Sequence, residues 1–180
     1  MEHNSQTIVF GGGCFWCMEA VFQMLRGVLS VSSGYAGGHK DKPTYHEVSS
    51  ERTGHAEVVA INFDPTIVTL DDLFAVFFTT HDPTTLNQQG ADRGTQYRSA
   101  IFYTTDEQKL VSDRFIQKLI VEKTFSKPIV TEITPLETFY PAEGYHQNYY
   151  RNNMDQPYCQ VVIDPKIGKL RQKYAHLITP

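Results

Sequence analysis

Two cysteines lie three residues apart in the segment Gly13-Cys14-Phe15-Trp16-Cys17, which follows Gly11 and Gly12. The reactive form of a cysteine is the thiolate, and the unpaired N–H groups at the start of a helix stabilise negative charge. If a helix begins at Cys14, we expect the Cys14 thiol to have a lowered pKa and to act as a nucleophile. Cys17 then falls on the same face of the helix, where it can form a disulfide with Cys14.

The residues on either side of this segment predict the elements that position it. The β-branched and aromatic residues at 7–10 predict a buried strand, which the glycines end. Apolar residues then recur at helical spacing as far as about Arg26, and Gly27 stops the helix. Phe15 and Trp16 are two large aromatic residues beside the nucleophile, and they indicate the wall of an apolar pocket.

The remainder of the chain mixes helices and strands without regular alternation, which is typical of an α+β fold. Thr69 with Asp72, and Thr105 with Gln108, resemble capping boxes that start helices, the second running to about Phe125. Strands are predicted at 57–63, 99–104, 129–134 and 160–163, and a basic helix near 166–176. We expect one domain over residues 1–180, with a central mixed or antiparallel sheet flanked by helices. Residues 31–56 and 81–98 are interpreted as long irregular segments of the active site.

Composition narrows the range of partners. The chain has 180 residues and a net charge of −4, and no basic stripe that would bind nucleic acid. The segment 1–6 lacks the basic start and apolar run of a secretory signal, and no apolar stretch is long enough to span a membrane. We therefore expect a cytoplasmic protein without a nucleic-acid or membrane partner.

The cysteines leave several interpretations open. Three cysteines do not have the spacing of a disulfide framework, and they could be no more than small buried apolar residues. A zinc site would need a second pair of ligands, but Cys159 stands alone, so no metal is predicted. A hydrolase or acyltransferase that uses Cys14 with a histidine base is a different possible enzyme. A redox sensor or binding module without catalytic activity is a further alternative.

The sequence resembles the A-type peptide methionine sulfoxide reductases. Beyond Gly13-Cys14-Phe15-Trp16, the shared motifs occur in the family's order over roughly residues 7 to 150 and together are highly specific. They are Ser33-Gly34-Tyr35-Ala36-Gly37-Gly38, Pro43-Thr44-Tyr45, Thr53-Gly54-His55-Ala56-Glu57, His81-Asp82-Pro83, Gly94-Thr95-Gln96-Tyr97-Arg98-Ser99 and Tyr145-His146-Gln147.

The resemblance implies an α+β domain that reduces the S-epimer of methionine sulfoxide, free or in proteins. It also implies that Cys14 is the nucleophile and that Phe15 and Trp16 hold the methyl group of the substrate. The polar residues that it places around the sulfoxide oxygen or a catalytic water are Tyr45, Glu57, Asp92 and Tyr97. His55, His81 and His146 are interpreted as structural or supporting residues.

The chemistry requires an acid beside the nucleophile, because a sulfoxide oxygen leaves poorly unless it is protonated while the thiolate attacks sulfur. Glu57 shares its strand parity with Val59, Ile61 and Phe63. If that face is buried, the pKa of the carboxyl group is raised. A glutamate at the strand end that faces water fits the periodicity equally well, and the resemblance favours the buried position. Tyr45 and Tyr97 can donate hydrogen bonds to the developing oxyanion without carrying charge.

The attack leaves Cys14 as a sulfenic acid, which a second thiol condenses to a disulfide. Many members of the family use a cysteine in a mobile C-terminal tail for this step. Cys159 lies near that position, but the residues after it predict a strand, from which a cysteine is poorly placed to swing. We therefore favour Cys17 as the resolving cysteine, with Cys159 as the alternative or as a second relay. Thioredoxin is the expected external reductant, oxidised proteins or free methionine sulfoxide are the expected substrates, and no cofactor is expected.

Overall fold

The computed structural model describes residues 4–180, and the expected polar start of the chain, 1–6, lies partly outside the described residues. The strands are β1 (Gln6–Gly11), β2 (Val28–Ala36), β3 (Ala56–Phe63), β4 (Gln88–Gln89), β5 (Asp92–Arg93), β6 (Ala100–Tyr103), β7 (Glu132–Pro135) and β8 (Tyr140–Pro141). Six of them form a central sheet with the order β7-β6-β1-β3-β2-β8, in which only the β6–β7 pair is parallel. A separate hairpin pairs β4 with β5.

Residues 4–180 contain six α-helices and several short helical turns. The helices are α1 (Phe15–Phe22), α2 (Tyr45–Ser49), α3 (Leu70–Thr80), α4 (Asp106–Val121), α5 (Tyr149–Asn152) and α6 (Asp164–Tyr174). Helix α1 packs on β2 and β3, and α3 contacts both α4 and α6. The prediction of an α+β fold with a mixed sheet is confirmed.

The main core lies between the sheet and these helices. Phe10 on β1 stacks on Phe77 of α3 with ring centroids 4.5 Å apart, and it also contacts Phe22 of α1 and Phe74 of α3. All four rings are buried. This apolar contact between β1, α1 and α3 holds the β1–α1 turn, which carries Cys14, against the sheet.

The capping signals predicted the start of α3 correctly. The side chain of Thr69 accepts a hydrogen bond from the N–H of Asp72, and the carboxylate of Asp72 accepts one from the N–H of Thr69. At α4, Thr105 caps the N–H of Gln108, but the amide oxygen of Gln108 accepts from Thr104 instead. Helix α4 ends at Val121, before the predicted limit near Phe125.

The predicted strand at 160–163 is wrong. Cys159–Ile163 forms a π-helical turn that continues directly into α6. The β-branched run in this segment favours a strand locally, but Cys159, Ile163, Ile167 and Leu170 are buried at helical spacing. Packing against the core therefore overrides the local preference.

Residues 31–56 are less irregular than predicted, because their first part belongs to β2. This strand pairs with β3 over its whole length apart from one irregularity between Val28 and Ser30. Its serines and glycine obscure the apolar pattern of a buried strand. Both edges of the sheet are short strands that end at a proline, Pro135 in β7 and Pro141 in β8. Within residues 4–180, no helix is long and apolar enough to cross a membrane.

Candidate active site

Cys14 lies at the junction between β1 and α1, where it is the N-cap residue of the helix. Gly13, immediately before it, has a φ of +93°, a conformation that favours glycine. The Cys14 side chain is partly exposed, whereas Cys17, in the first turn of α1, is buried. The two thiols interact closely enough to shift the pKa of each other, so the structure brings the predicted pair together.

A cavity of about 180 Å³ opens beside Cys14. Seven of the predicted site residues line it, and they come from four separate parts of the chain. The cavity also has one wall residue that the sequence analysis did not select, Tyr158. The lining residues are Cys14, Phe15, Trp16, Tyr45, Glu57, Asp92, Tyr97 and Tyr158.

Glu57, on β3, is the buried acid of this cavity. Only 2% of it is exposed, and its carboxylate accepts a hydrogen bond from the Phe15 N–H at 3.1 Å. Burial raises the pKa of Glu57 to about 8, and the nearby charge of Asp92 adds to this effect, while the Phe15 hydrogen bond opposes it. Glu57 is therefore mostly protonated at neutral pH, as an acid catalyst requires.

The expected lowering of the Cys14 pKa is wrong. Burial raises the pKa of the Cys14 thiol, and the hydrogen bond with Cys17 and the nearby Glu57 charge raise it further. The first N–H of α1 donates to Glu57 instead of stabilising a thiolate. The pKa of Cys17 is lowered to about 7 by its hydrogen bond with Cys14, and the charge of Lys166 acts in the same direction.

Two tyrosines supply neutral hydroxyl groups to the cavity. Tyr45 begins α2, whose capping box is formed by Thr44 and Glu47, and Tyr97 ends a 3₁₀ turn that follows the β4–β5 hairpin. Burial raises the pKa of both Tyr45 and Tyr97, and the charge of Glu57 adds to it. Both phenols therefore remain protonated and can donate hydrogen bonds at physiological pH.

Tyr158 connects the hairpin with the cysteines. Its hydroxyl donates a hydrogen bond to Asp92 at 3.0 Å and lies 3.8 Å from the sulfur of Cys17. The only sequence signal for Tyr158 is its position directly before Cys159. Its placement depends on the helical turn that replaces the predicted strand.

The indole of Trp16 forms an aromatic wall together with two tyrosines. It stacks on Tyr149 with centroids 3.6 Å apart and an angle of 6° between the planes, and Tyr158 meets it edge-on at 5.7 Å. Its N–H donates to His146. Tyr149 and His146 were not selected as substrate-site residues, although His146 belongs to a shared motif.

Cys159 is fully buried and does not line the cavity. It packs with Cys17, Ala20, Ile163 and Ile167 in an apolar cluster behind α1. Burial raises the pKa of its thiol, and the charge of Cys17 adds to this effect. In the described residues, 4–180, no three His, Cys, Asp or Glu side chains are grouped closely enough to hold a metal ion.

The comparisons with known proteins agree on one family. The model of the family "Peptide methionine sulfoxide reductase" matches residues 6–178. A peptide methionine sulfoxide reductase MsrA from Deinococcus radiodurans is 57% identical, over 94% of this chain and 82% of that protein. The structure of reduced Mxr1 from Saccharomyces cerevisiae is 33% identical, covers 88% of this chain and 91% of that chain, and superposes with a TM-score of 0.82. Mxr1 in complex with Trx2 shares the fold at 24% identity and a TM-score of 0.59, over 83% of this chain and 87% of that chain.

Proposed function

The chain belongs to the peptide methionine sulfoxide reductase family, and we propose that Cys14 is the nucleophile with which it reduces the S-epimer of methionine sulfoxide. The observation that carries this proposal is the cavity in which Cys14 and the buried acid Glu57 face the same small volume. A sulfur nucleophile and a proton donor are the two groups that the reaction requires.

In the first step, the Cys14 thiolate attacks the sulfoxide sulfur while Glu57 gives its proton to the oxygen. The oxygen is transferred to Cys14, which is oxidised to the sulfenic acid, and the substrate leaves as methionine. Cys17, whose pKa is lowered to about 7 and which is therefore partly ionised at neutral pH, accepts the proton of the Cys14 thiol. Tyr45 and Tyr97 stabilise the developing charge on oxygen through their hydroxyl groups.

The substrate's methyl group is held by the aromatic wall. Phe15 is buried, and Trp16 is fixed by the stacked ring of Tyr149. The two rings present carbon surface beside Cys14, and a sulfoxide bound with its methyl group there would direct its oxygen towards Glu57 and the tyrosines. We expect this arrangement to accept one epimer, because exchanging the methyl group with the oxygen buries a polar atom without a partner.

In the second step, the Cys17 thiol attacks the Cys14 sulfenic acid, and a disulfide and water are formed. Cys17 is favoured because its thiol already contacts Cys14. Cys159 packs against Cys17 in the same apolar cluster, so it remains the alternative resolving residue or a relay that receives the disulfide from Cys17.

A dithiol protein of the thioredoxin type would then reduce the enzyme disulfide. Cys14 is the more exposed of the two cysteines, so we expect its sulfur to be the one that an external thiol attacks in a Cys14–Cys17 disulfide. The yeast relative Mxr1 has been solved in complex with Trx2, which supports this class of partner. Substrates are oxidised proteins or free methionine sulfoxide, and a cytoplasmic location remains our expectation.

The alternative hydrolase would need a histidine base beside Cys14. No histidine is among the described residues that line the cavity, so this alternative has no geometric support.

The proposed reaction is tested with each epimer of methionine sulfoxide and dithiothreitol, for the native enzyme and for Cys14→Ser. We expect methionine from the S-epimer only, and none with Cys14→Ser. Formation of a disulfide under peroxide without any methionine from either epimer would indicate a redox sensor and refute the proposal.

A further inference from the structure

The β4–β5 hairpin brings Asp92 to the active-site cavity, although it is not part of the central sheet. Its two strands are short and are separated only by Gly90 and Ala91. A two-stranded hairpin has little stability of its own in water. The position of Asp92 therefore depends on the contacts that attach the hairpin to the rest of the protein, and the hydrogen bond from Tyr158 is one of them.

A second attachment is the side-chain amide of Gln89. Its Oε1 accepts a hydrogen bond from the Asp82 N–H at 2.8 Å, and its Nε2 donates one to the Asp82 carbonyl oxygen at 3.0 Å. The amide thus pairs with both backbone groups of a single residue. Asp82 lies between His81 and Pro83, which are both buried. The Gln89 amide therefore attaches the hairpin to a segment that packing holds in place.

The aliphatic part of Gln89 lies directly on the turn that carries Cys14. A Cβ built on Gly13 would be 2.6 Å from Cγ and 2.8 Å from Cβ of Gln89, so the hairpin can approach this closely because residue 13 has no side chain. Gln89 is paired with Asp92 across the hairpin, and directly opposed residues share one face of a strand pair. The face that packs on Gly13 is therefore the face that carries Asp92.

We propose that Gln89 is a positioning residue that holds the carboxylate of Asp92 in the cavity beside Glu57 and Cys14, through its hydrogen bonds to Asp82 and its contact with Gly13. Gln89 is not among the residues that line this cavity, so it acts through Asp92. The inference rests on the proposed function, in which Glu57 is the acid and Asp92 is one of the polar residues around the sulfoxide oxygen.

A displaced Asp92 would change the acidity of Glu57. The charge of Asp92 adds to the burial that raises the pKa of Glu57 to about 8, and the charge of Cys17 acts in the same direction. Moving Asp92 away should lower the pKa of Glu57, so the decline of activity at alkaline pH should begin at a lower pH. The other ionisable groups of the cavity have raised pKa values and are neutral in this range, namely Cys14, Tyr45, Tyr97 and Tyr158.

Gln89→Met tests this role, because methionine keeps the length and the aliphatic contact but cannot bond to Asp82. We expect kcat/KM for a peptide methionine sulfoxide to fall by about 10- to 100-fold, mainly through kcat, since a misplaced group stabilises the transition state less well. The alkaline decline should move to lower pH, as in Asp92→Asn. In an Asp92→Asn background, Gln89→Met should add little further loss.

Gln88→Met is the matched control. Gln88 is the neighbouring residue of the same strand, and its side chain donates to the Gly90 carbonyl oxygen at 2.9 Å, within the hairpin. This variant loses a hydrogen bond of the same kind without loosening the contact with Asp82. Its kinetics and its pH profile should match those of the native enzyme.

Two NMR measurements do not depend on activity. A titration of protein labelled with ¹³C-glutamate, in which Glu57→Gln identifies the Glu57 signal, should give a lower pKa for Glu57 in Gln89→Met and in Asp92→Asn than in the native protein. Hydrogen exchange should show a protected Asp82 N–H in the native protein and in Gln88→Met. The exchange measurement is sufficient by itself if Gln89→Met does not fold.

Three results would overturn the role of Gln89. They are additive losses of Gln89→Met and Asp92→Asn, an unchanged pKa of Glu57 in a folded Gln89→Met protein, and an Asp82 N–H that exchanges as fast as a free amide in the native protein. If the native enzyme reduced neither epimer, the proposed function would fail, while the two NMR measurements would still decide whether Gln89 holds Asp92.

Discussion

The carboxylate of Glu57 accepts the backbone N–H of Phe15 at 3.1 Å, so the first free donor of α1 is occupied by an acid and not by a thiolate. This contact ties β3 to the turn that carries Cys14. It holds the Glu57 carboxyl group, whose pKa burial raises to about 8, next to the reactive sulfur, where its charge adds to the effect of burial on the pKa of Cys14. The thiol and its acid partner are therefore linked through one helix terminus.

Glu57→Gln should lower kcat/KM for methionine sulfoxide by about 10²- to 10⁴-fold, the usual contribution of a general acid. Because the pKa of Glu57 is raised to about 8, native activity should fall as the pH rises through 8, where the acid loses its proton. The variant should lack this decline. Glu137→Gln, at an exposed position, is the matched control and should behave like the native enzyme. A Glu57→Gln enzyme within threefold of native activity would remove Glu57 from the mechanism.

Cys17→Ser should release one equivalent of methionine and then stop when thioredoxin is the reductant, because no thiol remains in contact with Cys14. Cys159→Ser should continue to turn over, because Cys17 is the resolving cysteine that we favour. Mass spectrometry after one equivalent of substrate should identify a Cys14–Cys17 disulfide in the native protein. A Cys14–Cys159 disulfide, with sustained turnover of Cys17→Ser, would instead make Cys159 the resolving residue.

Tyr158→Phe removes the hydroxyl that donates to Asp92 at 3.0 Å. A hydrogen bond to a charged group is worth about 1.5–3 kcal/mol, so we expect kcat/KM to fall by about 10- to 100-fold if this bond orients Asp92 in the cavity. Asp92→Asn combined with Tyr158→Phe should lose little more than the worse single variant. Tyr150→Phe serves as the control. It breaks a hydrogen bond of the same kind, from the Tyr150 hydroxyl to Asp164 at 2.6 Å, and neither residue lines the cavity. Additive losses would show that Tyr158 and Asp92 act independently.

His81 should make the fold sensitive to acid. It is buried, and both ring nitrogens form hydrogen bonds. Nδ1 bonds to the carbonyl oxygen of Phe77, and Nε2 bonds to the hydroxyl of Ser99 at 2.8 Å. Burial lowers its pKa to about 4, so the unfolded chain binds the proton first as the pH falls. The neutral His81 imidazole therefore stabilises the folded state above pH ~6.5. As the pH falls towards ~4, the free energy of unfolding should decrease by about 3 kcal/mol in total. Urea unfolding at several pH values should show a shallower decline for His81→Asn than for the native protein, and an equal decline would contradict this account.

Gly13→Ala should damage both stability and activity. Gly13 has a φ of +93°, and a Cβ built on it would lie 2.6 Å from Cγ of Gln89, in the β4–β5 hairpin that carries Asp92. Gly90→Ala is the matched control, because its φ of +57° is also positive but a Cβ there meets nothing within 4 Å. We expect about 1 kcal/mol of destabilisation from Gly90→Ala, and at least about twice as much, with reduced kcat, from Gly13→Ala. Thermal unfolding and kinetics compare the two; equal effects would show that the contact with Gln89 is unimportant.

The sequence predicts those parts of the site whose position follows from local patterns. The strand–glycine–helix order places Cys14, Phe15 and Trp16 correctly. Strand parity is compatible with a buried Glu57, and the family resemblance favours that position over an exposed one. The pKa of Cys14 could not be predicted in this way, because it depends first on how deeply the folded chain buries the thiol, and then on its neighbours Cys17 and Glu57.

The position of Tyr158 in the cavity could not be predicted from local sequence patterns either. The run Val161-Val162-Ile163 has the composition of a strand, and only the core decides that Cys159, Ile163 and Ile167 are buried on one helical face. Because that segment is helical, Tyr158 points into the cavity while Cys159 packs behind Cys17. The direction of the Tyr158 side chain is set by packing against residues far away in the sequence, so the pattern of apolar residues near Tyr158 does not reveal it.

The two edge strands of the sheet are poorly suited to pair with a strand from another protein. An open strand edge can recruit a foreign extended segment, which is the first step of aggregation. Strands β7 and β8 are short, and the prolines at their ends cannot donate a ladder hydrogen bond. The sheet therefore offers little backbone with which a partly unfolded polypeptide could pair.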